Sequence, residues 1–134
     1  MIHQTHRFHG RGSFRFVYQH GQTVRGPLCT LKFIRNSRRD TYRVAVVVSR
    51  KVHKSAVVRN RIRRRMYEAV RKQEPAITRP YDLVFTVFSD QLATMEGLDL
   101  QQMVCRQLQD AKVIDTKSAL PDAASHAIVK PKER

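Results

Sequence analysis

The stretch Thr41–Pro75, TYRVAVVVSRKVHKSAVVRNRIRRRMYEAVRKQEP, decides the fold. Its first part, Tyr42–Val48, is nearly continuous and β-branched, the pattern of a strand buried on both faces and therefore central in a sheet. Beyond it the period changes. Placed at about 100° per residue, Val58, Ile62, Met66, Ala69 and Val70 fall on one stripe, so a helix runs from near Ser55 to Glu74. Pro75 stops it. A central strand followed by an amphipathic helix calls for a sheet on which that helix lies.

Towards the N-terminus, Cys29, Leu31 and Phe33 alternate with Thr30 and Lys32, so Leu28–Ile34 reads as a half-buried strand. Asn36-Ser37-Arg38-Arg39-Asp40 is a turn. Ser13 can cap a short helix over Phe14–His20 that Gly21 ends. Phe14, Val17 and Tyr18 share one face of it. Towards the C-terminus, Asp82–Phe88 is a strand, with Leu83, Phe85 and Val87 opposite Val84, Thr86 and Phe88. Thr94 can cap a last helix to Lys112, whose apolar face is Leu100, Met103, Val104, Leu108 and Ala111. The order helix, strand, strand, helix, strand, helix predicts an α+β fold. It is a single domain, a small sheet packed by helices in an α/β sandwich, over 13–112. A basic arm over 1–12 precedes it and a flexible tail over 113–134 follows.

The charge is as informative as the pattern. Of 134 residues, 26 are Lys or Arg and 11 Asp or Glu, a net +15. Folding requires no such imbalance, and a polyanionic partner accounts for it. No run approaches the roughly 18 apolar residues of a spanning helix, so no membrane role is expected. Met1–Gly12 has no apolar run and does not read as a secretory signal. Cys29 and Cys105 sit in apolar contexts without ligand spacing and read as buried thiols of a cytoplasmic protein. His3, His6 and His9 recur every third residue. They form either a metal clip or a solvated tail, and no acid or cysteine joins them in a recognised ligand set.

Between Ser49 and Glu74 ten basic residues face only Glu68 and Glu74. Five arginines fall within Arg59–Arg65, and like charges at i,i+4 destabilise an isolated helix. Asn60, Arg61, Arg63, Arg64, Arg71 and Lys72 lie off the apolar stripe, while Arg59 and Arg65 flank it. Guanidinium groups grip phosphate oxygens bidentately and stack on bases, and Asn60 can bond sugar hydroxyls or base edges. Composition specifies a polyanion but does not separate RNA from DNA.

The ordered run Ser49-Arg50-Lys51-Val52-His53-Lys54-Ser55-Ala56-Val57-Val58-Arg59-Asn60-Arg61-Ile62-Arg63-Arg64 resembles the signature of the bacterial ribonuclease P protein family. Arg59-Asn60-Arg61 matches its core. Phe14, Val17 and Gly21 match its early Phe-x-x-Val-x-x-x-Gly, and Asp82-Leu83-Val84 the start of its later strand. His53 and Lys54 stand where Gly and Asn are usual, so the turn into the helix is expected to differ. Lys32 stands where an aromatic is frequent.

The resemblance implies a fold like domain 2 of ribosomal protein S5, with a left-handed βαβ crossover. It implies a subunit of an endoribonuclease that removes the 5′ leader of precursor tRNA. The catalyst is the RNA subunit, with magnesium bound mainly by that RNA and no catalytic residue in this chain. The expected RNA-binding set is Arg50, Lys51, Lys54, Arg59, Asn60, Arg61, Arg63, Arg64 and Arg65. Phe14, Tyr18 and Arg15 are expected at the leader cleft, Phe14 being equally readable as core and Arg15 and Arg25 as solvated. No obligate protein partner is implied. The residues agree on catalysis: Asp40, Asp82, Asp90, Glu96 and Asp99 form no short-range carboxylate cluster, and no spacing pairs His20 with His53. The alternatives are a ribosomal or other structural RNA-binding protein and a DNA-binding module.

Overall fold

The computed structural model describes residues 6, 7 and 11–114. Helix α1 spans Arg11–His20, strands β1 Gln22–Arg25, β2 Cys29–Arg35 and β3 Arg43–Val48, helix α2 Ala56–Lys72, strand β4 Tyr81–Val87 and helix α3 Gly97–Asp110. The sheet has the order β1-β2-β4-β3, so β3, read from the sequence as a central strand, is an edge strand whose two faces are buried by α2 and α1. β1 pairs antiparallel with β2, β2 antiparallel with β4, and β3 parallel with β4. A parallel pair needs a crossover, and α2 is that crossover. The sheet is therefore mixed and packed by three helices, an α+β fold.

Strand pleat divides the sheet into two faces. Cys29, Leu31 and Phe33 of β2, Val44, Val46 and Val48 of β3, and Leu83, Phe85 and Val87 of β4 join the stripes of α2 and α3 in the main core. The stripe read from the sequence holds: Ile62, Met66, Ala69 and Val70 are buried, and Val58 packs against them in part. Leu100, Val104 and Leu108 do the same from α3. Gln107 is buried among them, and its amide donates to the carbonyl oxygens of Cys29 at 3.0 Å and Val24 at 3.5 Å. The thiol of Cys29 donates back to Gln107 Oε1 at 3.0 Å. Burial pushes that thiol up to about 12, and neither Cys29 nor Cys105 is in a disulfide. Among the described residues, α1 covers the other face, through Val17 on Ala45 and Val84.

Several boundaries differ from the sequence reading. β1 was not expected: it is a four-residue edge strand with one apolar residue, Val24, and offers no alternation to read. α1 starts at Arg11, so Ser13 lies inside the helix and not at its cap. Gly21 ends it as expected, its N–H donating to the Val17 carbonyl at 2.7 Å. Thr94 closes a 3-10 turn over Asp90–Ala93 instead of capping α3, because Ser89 opens that turn by accepting from the Gln91 N–H at 3.2 Å. The packed domain passes residue 112, since Val113 and Ile114 are buried and both backbone N–H groups reach the Leu108 carbonyl. Lys112, with φ 61°, makes the turn that allows this.

The arm expected over 1–12 is docked where it is described. The ring of His6 stacks on Tyr42 with centroids 4.3 Å apart, and its Nδ1 lies 3.1 Å from the Tyr42 carbonyl. Arg7 bridges to Val44 beside β3 and places its guanidinium over the Tyr67 ring. His3, His9 and the tail from Asp115 lie outside the described residues.

Candidate nucleic-acid interface

The basic helix begins at Ser55, whose Oγ accepts from the Val58 N–H at 3.4 Å. The preceding loop is fixed by two side chains. His53 Nδ1 accepts from the Ser55 N–H at 3.0 Å. Arg59 Nη1 donates to the carbonyl oxygens of His53 at 3.0 Å and Lys54 at 2.8 Å. Among the described residues only Lys112 is a non-glycine at positive φ, so His53 needs no backbone angle reserved for glycine. The imidazole thus closes the turn with its own ring nitrogen. Arg50, Lys51 and Lys54 project from that loop into solvent.

The run Arg59–Arg65 divides by what each guanidinium touches. Arg61 and Arg64 are exposed, as is Asn60. Arg63 is half-buried; its Nη2 donates to the Val48 carbonyl at 3.3 Å and its Nη1 to Asn60 Oδ1. Arg59 holds the loop. Arg65 donates to the carbonyl oxygens of Leu92 and Met95. Arg71 is paired with Glu68, whose carboxyl its hydrogen bonds hold down at about 2. Among the described residues, Arg50, Lys51, Lys54, Arg61, Arg64 and Lys72 have no hydrogen bond or ion pair from their side chains. They present uncommitted positive charge on α2 and its entry loop, with the exposed amide of Asn60 on the same helix, suited to phosphate oxygens.

A second candidate surface lies on the α1 face. Register sets three rows across the sheet: Thr30, Thr86 and Val47; Lys32, Val84 and Ala45; Ile34, Asp82 and Arg43. α1 sits on the middle row through Val17. Tyr18 is 41 % exposed and leans toward the first row, with Oη 3.5 Å from Thr86 Oγ1. Lys32 Nζ stands 5.7 Å from the centre of the Tyr18 ring, within range of a cation–π contact. Phe14 is half-buried, packs beside Val17 and lies 6.5 Å from the Tyr18 ring at a 22° tilt. It is both core and wall. Arg15 and Arg25 are exposed. Lys32, Thr86 and Val47 were not legible as cleft residues, because only the register brings them under Tyr18.

No group of three or more His, Cys, Asp or Glu able to hold a metal occurs among the described residues. Asp82 is 3 % exposed, and Arg43 takes both its oxygens at 3.0 and 2.9 Å while Asn36 Nδ2 donates at 3.0 Å. That carboxylate is committed to structure.

Residues 2–112 match the family model described as Ribonuclease P. The ribonuclease P protein component of Chloroflexus aurantiacus is 37 % identical over 110 residues, covering 82 % of this chain and 80 % of that protein. That of Chloroflexus aggregans is 34 % identical over 120 residues, covering 90 % and 87 %. The Staphylococcus aureus RNase P protein shares the fold with a TM-score of 0.72 at 24 % identity, covering 82 % of this chain and 98 % of that one. The Thermotoga maritima RNase P protein does so with 0.68 at 21 %, covering 78 % and 96 %. Together with the basic crossover helix and its ordered signature, these matches establish that the chain belongs to the ribonuclease P protein family.

Proposed function

We propose that this chain, as the protein subunit of ribonuclease P, the enzyme that processes tRNA 5′ ends, grips the catalytic RNA with the exposed basic residues of α2 and its entry loop. The same reading places the 5′ leader of precursor tRNA in the cleft between α1 and the Thr30–Thr86–Val47 row. The observation that carries it is the division of the basic run. Arg59 and Arg65 are spent on the fold, which leaves Arg50, Lys51, Lys54, Arg61 and Arg64 exposed and uncommitted on α2 and its entry loop. A set of guanidinium and ammonium groups fits a backbone of phosphates. Beside α1, Tyr18 offers a ring and Lys32 a cation, which suits an unpaired base and its phosphate.

The donor set of the described residues does not suit magnesium: Asp82 is held by Arg43 and Asn36, and the other described acids do not converge. On this reading, magnesium chemistry on the scissile phosphate is therefore left to the RNA subunit, with this chain binding and orienting. The cytoplasm, where precursor tRNA is processed, is the expected compartment.

The test is reconstitution at near-physiological salt. RNA-free protein should cleave no precursor tRNA in magnesium buffer, and protein with its catalytic RNA should remove the leader. Robust cleavage by the protein alone overturns the assignment of catalysis to RNA. A protein that binds RNA but leaves leader removal unchanged reduces the chain to a structural RNA-binding role.

A further inference from the structure

α1 has two flanks, and only one faces the cleft just described. Phe14 and Tyr18 lie on one side of Val17, while Phe16 and His20 lie on the other, about 100° around the helix from it. Phe16 is 52 % exposed although it is a large apolar ring. It lines a cleft of about 400 Å³ with Arg35, Asn36, Ser37, Arg38, Arg43 and Asp82. The floor of that cleft is cross-linked by hydrogen bonds. Asp82 fixes Arg43 and Asn36, the Asn36 N–H donates to the Pro80 carbonyl at 2.7 Å, and Asn36 Oδ1 accepts from the Arg38 N–H at 3.2 Å. A buried carboxylate thus holds the turn that presents Arg38. Arg35 and Arg38 line the cleft and are exposed, and neither side chain has a hydrogen bond or ion pair among the described residues. Asp40 is the exposed acid of the turn.

We infer that this second flank is a subsite for single-stranded RNA, in which Phe16 stacks on one base while Arg35 and Arg38 bind the adjoining phosphates. A helix carrying an exposed aromatic opposite a fixed arginine turn supplies both halves of a nucleotide's chemistry, a π-face and an anion. The inference rests on the ribonuclease P reading for the identity of its RNA. The strand comes either from the precursor's leader or from an unpaired segment of the catalytic RNA.

The chain has no tryptophan, so Phe16→Trp installs a single reporter on an exposed position. An unstructured oligouridine should quench its fluorescence on binding, and heparin, an anion without bases, should not. Arg35→Gln with Arg38→Gln should weaken oligouridine binding and flatten its salt slope by roughly 0.7 per lost phosphate contact. Phe16→Ala should weaken it about tenfold. In the reconstituted enzyme, quenching by the catalytic RNA alone assigns the strand to that subunit. Quenching only on adding precursor with a leader, and not mature tRNA, assigns it to the leader. Absence of quenching in every arm, with native melting and unchanged oligouridine affinity of the double arginine variant, overturns the subsite. Leader removal by the wild-type holoenzyme is scored separately, so failure of the subsite is distinguishable from failure of the subunit reading.

Discussion

The guanidinium of Arg65 donates to the main-chain oxygen of Leu92 at 2.8 Å, and in doing so ties α2 to the turn that precedes α3. A second N–H of the same group reaches Met95. Hydrogen bonds to charged groups contribute about 1.5–3 kcal/mol each where partly buried. Arg65→Ala should therefore lower stability in urea by about 2 kcal/mol, while the salt dependence of RNA binding stays as in the wild type. Arg64→Ala, one residue earlier and exposed, should show the converse: native stability and weaker RNA binding. Equal loss of stability in both variants would contradict this division.

The exposed basic residues make a quantitative claim about salt. Removing Arg61 or Arg64 should flatten the slope of log affinity against log salt by roughly 0.7–0.9 for each lost phosphate contact. Asn60→Ala removes no charge and should weaken binding to cognate RNA with the slope nearly unchanged. It also releases Arg63 from one of its two partners. Salt titrations of the three variants decide the matter. Unchanged slopes for both arginine variants would mean that RNA is held elsewhere.

Gly21 sets how closely α1 lies on the sheet. A Cβ there would stand 2.5 Å from the Val17 carbonyl oxygen and 2.8 Å from that of Phe33, both backbone atoms that cannot swing aside. Gly21→Ala should cost roughly 1–3 kcal/mol and displace Tyr18 from Thr86. Affinity of the holoenzyme for precursor tRNA should then fall more than affinity for mature tRNA.

Phe14→Ala should act on the same ratio, because its ring stands beside that of Tyr18. Loss of stability with the precursor-to-mature ratio unchanged would leave Phe14 a core residue alone. The ratio, measured by binding at one fixed salt concentration, is the readout for both variants.

Alkaline pH should unfold the protein earlier than its surface charge suggests. Burial raises the Cys29 thiol to about 12, and burial with the Glu74 hydrogen bond also raises Tyr42. For an acid whose pKa is higher folded than unfolded, the native state keeps the proton that the unfolded chain releases. Stability is then complete below the ordinary thiol value near 9 and declines as pH rises towards 12. Urea midpoints should fall over that interval, and Cys29→Ser, with a hydroxyl that does not titrate there, should reduce the decline. A midpoint independent of pH up to 11 would contradict the burial of both groups.

What the sequence disclosed depended on the range of the signal. The stripe Val58, Ile62, Met66, Ala69 and Val70 is local and periodic, and it appears in the fold as read. The alternation in β2 did likewise. The run in β3 is a strand as read, but it stands at the edge of the sheet and not at its centre. Helices on both faces bury an edge strand as fully as a central one. β1 escaped because Gln22, Thr23 and Arg25 flank one valine at an edge, where pairing and not burial makes the strand. The roles of Arg59 and Arg65 escaped for a different reason. A residue flanking an apolar stripe can point either way, and the carbonyls that claim these two belong to segments 5 and 27 residues away. Lys32 beneath Tyr18 required the packing of α1, and the Asp82–Arg43 pair required the register of β3 against β4.

The docking of Arg7 beside Val44 also bears on solubility. The sheet ends in two unequal edges. β1 is short and polar, and pairs poorly with strangers. β3 is Arg-Val-Ala-Val-Val-Val, the kind of edge on which a second molecule builds another strand. By bridging to Val44, Arg7 occupies backbone groups that a neighbour would otherwise use. Arg7 thus guards this edge against self-association, and a protein trimmed before Arg11 should aggregate at concentrations at which the whole chain stays dispersed.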